Sequence, residues 1–476
     1  MRRMIMLGFV CLVIAAPVQA GQKIIQIGGG NKIDNSQGQI EDNVIWLSEI
    51  LNKSSSDIVN YFASGEGDEK DVSLYDTSGV SSSMEVISRV FEDGDANRLV
   101  FKHNDVPGLS GGTNKKELTK SITSVLENVA SEQEILLIFN GHGGHDRRDE
   151  RNNTLKIWGD ERLNVSEVDK ILDHAPDKST IRFIFPQCYS GGFYYLIFDD
   201  PFSDRLSSQN RCGFFAESAM EESEGCSLNT NRDEYRDYSN YFFAPLNGET
   251  RNGEPLPISA DMDRDGTVSY RESHFYALMV GESKDLSRST SEIFLEDWAP
   301  WYLRWGYAEN KESDYWKIAE YVARKHKLSL NGKDLREAKK ILQISLDKTL
   351  SAQKGYIEEI NKLSSAIKAE VVKKWPEANH PYTSRYVSVI ENQIDDISSY
   401  IQSLQSYTEL IHAQNGLADM NRQELDLERK KSQIDKIQRM KMLARLEKQF
   451  VVYADKTAKQ TYQRLIDCEG GRFFTP

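Results

Sequence analysis

Two short apolar runs decide most of what this chain can become: Ile135-Leu136-Leu137-Ile138-Phe139 and Ile181-Arg182-Phe183-Ile184-Phe185. Each is bounded by Gly or Pro and is too short for a helix, so both read as strands buried on two faces. Such strands need helices to cover them. Residues 23–27 and 57–63 are further strand candidates, residues 40–51 and 117–130 carry helical spacing, and Asn164-Val165-Ser166-Glu167 reads as a helix-capping box. This alternation predicts an α/β fold, a mostly parallel sheet with helices on both faces.

The chain opens Met1-Arg2-Arg3-Met4, followed by an apolar stretch at 5–16 and by Val18 and Ala20 in small-residue cleavage positions. That is the pattern of a signal peptide over residues 1–20. The competing reading is a membrane anchor, but the stretch falls short of the ~20 residues a bilayer requires. Cleavage after Ala20 would leave a periplasmic or secreted protein without a further membrane span. Its net charge of −14 opposes contact with phosphates, so no nucleic-acid partner is expected. Export also lets disulfides persist. Cys212 and Cys226 flank a short acidic loop and are the expected pair, while nothing local decides the state of Cys468.

Beyond residue 310 the pattern changes. Residues 311–333 read as a linker, 334–465 as an all-α coiled-coil or helical-bundle extension, and 466–476 as a tail. Val387, Ile390, Ile394, Ile397, Ile401 and Leu404 step by three and four, as a coiled-coil seam does. Breaks at 375–381 and at Asn415-Gly416 predict three long helices in an antiparallel arrangement.

Both apolar strands end in residues capable of chemistry. The first runs into Asn140-Gly141-His142-Gly143-Gly144-His145 and the second into Pro186-Gln187-Cys188-Tyr189-Ser190-Gly191-Gly192. Ligands bind at the carboxyl ends of strands in an open parallel sheet, so His142 and Cys188 are expected to meet there. A Cys beside an imidazole is the arrangement for nucleophilic catalysis through a thiolate of lowered pKa. The amides of Gly143 and Cys188 are candidate oxyanion donors.

These blocks resemble the caspase-like cysteine peptidases, and among them the legumain family. The resemblance spans residues 23–307 and includes Ile27-Gly28-Gly29-Gly30 with Asn35, His142-Gly143, Cys188 with Ser190-Gly191, and Phe214-Phe215-Ala216-Glu217-Ser218-Ala219. It implies a caspase-like peptidase domain over 21–310, with Cys188 as nucleophile, His142 as general acid and base, and Asn35 orienting His142. It also places Gln37, Glu217 and Ser218 near the specificity pocket. Gly141, Gln187 and Gln37 depart from the family pattern, so specificity for asparagine does not transfer. The acidic stretch 217–224 fits either a basic residue before the scissile bond or an ordinary solvated loop.

A rival reading takes His142, His145 and Asp146 as zinc ligands, but Gly143-Gly144 between them disfavours the required helix. A second motif, Asp261 to Glu272, fits the EF-hand loop: Asp261, Asp263, Asp265 and Ser269 at positions 1, 3, 5 and 9, Gly266 at the turn, the carbonyl of Thr267 at position 7, and Glu272 at position 12. A structural Ca2+ is therefore expected, and no organic cofactor. Together these features predict an exported cysteine endopeptidase acting on peptide or protein substrates by hydrolysis or by transpeptidation. The alternative is an inactive calcium-binding scaffold whose C-terminal helices dock a protein partner, and a third possibility is that the extension is a propeptide.

Overall fold

The computed structural model describes residues 21–53, 57–76, 78, 80–92, 98–304, 308–380 and 383–473. The expected signal peptide at 1–20 and Pro381 of the expected helix break lie outside the described residues.

The strands are β1 (Lys23–Gly29), β2 (Asp57–Phe62), β3 (Val72–Tyr75), β4 (Leu99–Lys102), β5 (Leu109–Gly111), β6 (Glu134–Gly144), β7 (Thr154–Ile157), β8 (Glu161–Asn164), β9 (Thr180–Phe185), β10 (Asn210–Phe215) and β11 (Arg288–Ser289). The main sheet runs β11-β10-β9-β6-β1-β2-β5, parallel from β10 to β5, with β11 antiparallel at one edge. Alternate side chains of the apolar strands enter different cores. Ile135, Leu137 and Phe139 pack with Phe183 and Phe185 under the helices at Lys115–Glu127 and Val165–Leu172. Leu136, Ile138 and Ile184 pack on the other face under the helices at Gly38–Leu51, Tyr238–Asn247 and Tyr270–Val280. The α/β class and the helical C-terminal region expected from the sequence are both present. Asn164 caps the Val165–Leu172 helix in a capping box with Glu167.

The C-terminal region is joined to the sheet domain more tightly than a linker would allow. The stretch expected as a linker contains the Asp314–Lys325 helix, whose Tyr315, Trp316, Ile318 and Val322 are buried with Ile434, Ile437, Met440 and Leu443 of the Gln405–Tyr453 helix. That long helix runs antiparallel to Gly332–Lys374, with Lys339 facing Asp435 and Gln353 facing Asn421. It continues straight through Asn415-Gly416, where a break was expected. A Cβ on Gly416 would lie 2.5 Å from the Tyr356 ring, so this glycine permits close helix packing rather than ending a helix. The Ser384–Ser403 helix is irregular at Gln393 and leaves Val387 exposed, while the expected seam is engaged further along, with Ile397 and Ile401 buried and Ile394 and Leu404 packed beside them. Ile397 and Ile401 pack with Val86, Ile87 and Val90 of the helix at Ser82–Phe91.

The expected disulfide partner is corrected. Cys212 is bonded to Cys468, and Cys226 is a free thiol. Cys212 sits in the middle of β10, fully buried beneath the Lys456–Glu469 helix, whereas Cys226 lies in the loop at the sheet's carboxyl end, 3.9 Å from the Gly141 carbonyl oxygen. Short spacing in sequence favoured closing the 212–226 loop. The strand carries its two ends apart.

Candidate active site

β6 and β9 are paired in parallel register from Glu134↔Thr180 to Ile138↔Ile184. His142 and Cys188 each lie four positions past the last of these pairs, so the shared register brings both to one rim of the sheet. Their backbones close on each other there. A Cβ on Gly143 would stand 1.8 Å from the Cys188 carbonyl oxygen, so this position admits only glycine. Both side chains are half-buried and accessible in part.

The chain turns sharply after Cys188, because Tyr189 is held in the left-handed region at φ 58°. Such a conformation costs a non-glycine residue on the order of 1–2 kcal/mol, which the surroundings must offset. Here the Tyr189 amide donates to the Glu221 carbonyl at 2.9 Å, and its hydroxyl donates to Glu222 at 2.7 Å. Its ring stacks on His145 with centroids 5.2 Å apart.

His142 is held from its far side. Nε2 lies 2.8 Å from the backbone oxygen of Asn35 and 2.9 Å from Oε1 of Gln37. Both are acceptors, so Nε2 carries the proton and Nδ1 of the neutral ring keeps its lone pair. Asn35 therefore acts through its carbonyl. Its side chain is spent locally, accepting from Lys32 N–H at 3.0 Å and donating to Asn31 at 2.6 Å. Gln37, expected near the specificity pocket, is hydrogen-bonded to the histidine.

Electrostatics depart from the sequence expectation of an acidified thiol. Burial pushes the Cys188 thiol up, and the carboxylates of Glu222 and Asp285 add to the effect, while Ser223 opposes it. Burial holds the His142 imidazolium below its ordinary pKa, helped by the Lys156 cation across the β6–β7 ladder and opposed by the Asn35 carbonyl. The resting pair is accordingly a neutral thiol and a neutral imidazole.

The other pocket residues expected from the sequence lie in the loop that follows β10. Glu217 is buried, accepting from the amides of Ser218 and Leu286, each at 2.7 Å, and its own amide donates to Ser190 Oγ at 3.2 Å. Ser218 is half-buried beside it. Ser223 Oγ reaches to 3.7 Å from the Cys188 sulfur. Asp285 had no sequence signal, since it stands far along the chain in an irregular segment. It is brought in by a 2.6 Å hydrogen bond from the Glu224 amide.

The zinc alternative does not assemble. His142 lies on a strand and His145 on the loop beyond, stacked on Tyr189, and among the described residues the carboxylates of Asp261, Asp263 and Asp265 form the one metal-capable group. Their ligand oxygens lie within 4.8 Å of one another. Gly266 makes the expected turn at φ 87°. Glu272 folds back over the loop, its Oε1 accepting from Met262 N–H at 2.8 Å and its Oε2 from Ser269 Oγ at 2.8 Å. Thr267 Oγ1 donates to Asp265 at 2.6 Å. The guanidinium of Arg472 stands 2.7 Å from Asp265, so this edge of the cluster already attracts a cation. Hard oxygens converging on a tight turn suit Ca2+.

No family model matches the chain, and no curated protein matches it. Among solved structures, protein GSU0716 from Geobacter sulfurreducens is similar over 56% of this chain and 92% of its own, at 9% sequence identity and a TM-score of 0.33.

Proposed function

We propose that the chain is an exported cysteine endopeptidase of the legumain-like type, with Cys188 as nucleophile and His142 as acid and base. One observation carries the reading: Nε2 of His142 is committed to two acceptors, leaving Nδ1 free as a base at the rim where Cys188 emerges. Nδ1 takes the thiol proton as sulfur attacks the peptide carbonyl carbon. The oxyanion is received by the Gly143 and Cys188 amides. The C–N bond then breaks as His142 returns the proton to the leaving amine, and a thioester remains. Water, deprotonated by the same imidazole, releases the acid and restores the thiol. An amine in place of water would give transpeptidation.

A peptide library and an electrophilic peptide probe test this directly. Cleavage by the purified chain, together with probe adduct on Cys188 and none on Cys226, is the expected result. Neither turnover nor adduct on Cys188 would leave the inactive scaffold as the better reading.

The proposal includes a structural calcium held by Asp261, Asp263, Asp265, Ser269, Glu272 and the Thr267 carbonyl. Calorimetric titration is expected to show one calcium bound, and chelator to lower the melting temperature. No heat of binding and an unchanged melting temperature would remove the ion from the proposal. An exported location agrees with the Cys212–Cys468 bond, which an oxidising compartment would preserve.

A further inference from the structure

Carboxylates gather around the Cys188 thiol in a pattern that the catalytic step does not require. Glu221 and Glu222 are exposed on the loop that wraps the nucleophile, and Glu224 is half-buried beyond them. Behind the loop lie Glu217, 4% exposed, and Asp285, 1% exposed. Asp285 Oδ1 accepts from the Glu224 amide at 2.6 Å, while its Oδ2 is buried with no hydrogen-bond partner. A buried carboxylate oxygen left unpaired costs on the order of 1–3 kcal/mol or more, a cost that a cationic ligand would offset. Burial, with Glu217 and Glu224 close by, pushes the Asp285 carboxyl upward.

The cations facing this group do not pair with Asp285 Oδ2. Arg288 bonds Glu296 at 2.8 Å, and the Lys436 ammonium donates to the Gly281 carbonyl at 3.1 Å. Arg429, from the Gln405–Tyr453 helix, sets its guanidinium on both carboxylate oxygens of Glu224. That contact satisfies Glu224 with a guanidinium of the chain's own, so the independent observation is the buried Asp285 Oδ2, which has no hydrogen-bond partner among the described residues.

We infer that this acidic site holds the side chain of an arginine or lysine on the acyl side of the scissile bond, with Glu222 and Glu224 at its rim and Asp285 as the buried counter-charge. The inference rests on the peptidase reading and specifies its substrate class. A substrate guanidinium or ammonium would supply the partner that Asp285 Oδ2 lacks.

Fluorogenic peptides differing only before the scissile bond (Arg, Lys, Asn, Asp, Ala), assayed with the full chain, test it. The expected order in kcat/KM is Arg and Lys at least ~10-fold above Asn, with Asp lowest, since like charges repel. Asp285→Asn and the surface change Glu222→Gln should each reduce the Arg-to-Asn ratio. Glu222→Gln keeps the test open should the buried variant fail to fold. Preference for Asn or Asp, or an Arg-to-Asn ratio unchanged in both folded variants, overturns the inference while leaving the peptidase reading standing. No turnover of any peptide overturns both.

Discussion

Cys188→Ala and His142→Ala are each expected to lower peptide turnover by at least ~10³-fold, because nucleophile and base act as one unit and losing either forfeits the covalent route. The pH behaviour should be as telling as the loss. The imidazolium of His142 is held below the ordinary histidine value of ~6.5, and the Cys188 thiol is pushed above the ordinary ~8.5. The productive neutral pair forms as pH rises through the lowered imidazole pKa. It is lost when the thiol ionises at a raised one. Activity should therefore hold a plateau between an acid limb below ~6.5 and an alkaline limb above ~8.5. Alkylation of Cys188 by iodoacetamide, which reads the thiolate alone, should be slow at neutral pH and climb through the alkaline limb. Fast alkylation that stays flat from pH 5 to 9 would show a standing thiolate–imidazolium pair and refute this account of the resting state.

The sequence made the site legible where chemistry is local. His142 and Cys188 stand out because each follows a buried strand and is set among glycines, and a parallel sheet leaves strand ends few places to go. The capping box at Asn164 and the turn at Gly266 were readable for the same reason, as both are decided within a few residues. What escaped depended on distance along the chain. Asp285 comes to the loop that wraps Cys188 as Gly281–Ser287 is laid against the Gln405–Tyr453 helix, where Gln433, Lys436 and Arg439 donate to its carbonyl groups. The helix at Asp314–Lys325 looked like a linker since its apolar face is covered by residues of the Gln405–Tyr453 helix, more than one hundred positions away, together with Phe275 of the Tyr270–Val280 helix. The contact of Gln37 with His142 had no sequence signal. The position of Gln37 before the Gly38–Leu51 helix puts it within reach of the imidazole, and no periodicity reveals that.

The same dependence on distance makes the Cys212–Cys468 bond a large contributor to stability that can be removed without touching His142 or Cys188. It spans a separation of 256 residues. Loop-closure entropy puts its effect at ~5 kcal/mol, with 2–5 kcal/mol the usual measured range. Cys468→Ser should lower the melting temperature by on the order of 10 °C, taking ~2–4 °C per kcal/mol for larger domains. Cys212→Ser should cost a similar amount, since both sulfurs are buried and either change sets a hydroxyl there. The loss would not stay at the terminus. Around Cys468 its carbonyl accepts from Arg182 at 2.7 Å, Glu469 accepts from Ser291 N–H at 2.6 Å and from Arg271 at 2.9 Å, and the Gly471 carbonyl accepts from Tyr270 N–H at 3.0 Å. Arg472 completes the series at Asp265 in the acidic loop. Releasing the sulfur anchor therefore loosens a strap that touches β9, the helix at Thr290–Trp298 and the proposed calcium loop together. Scanning calorimetry with and without reductant reads the shift, and peptide mapping of the unreduced chain should find Cys188 and Cys226 as free thiols. A Cys212–Cys226 peptide, or a melting temperature unmoved by Cys468→Ser, would show that the tail is held by its hydrogen bonds alone.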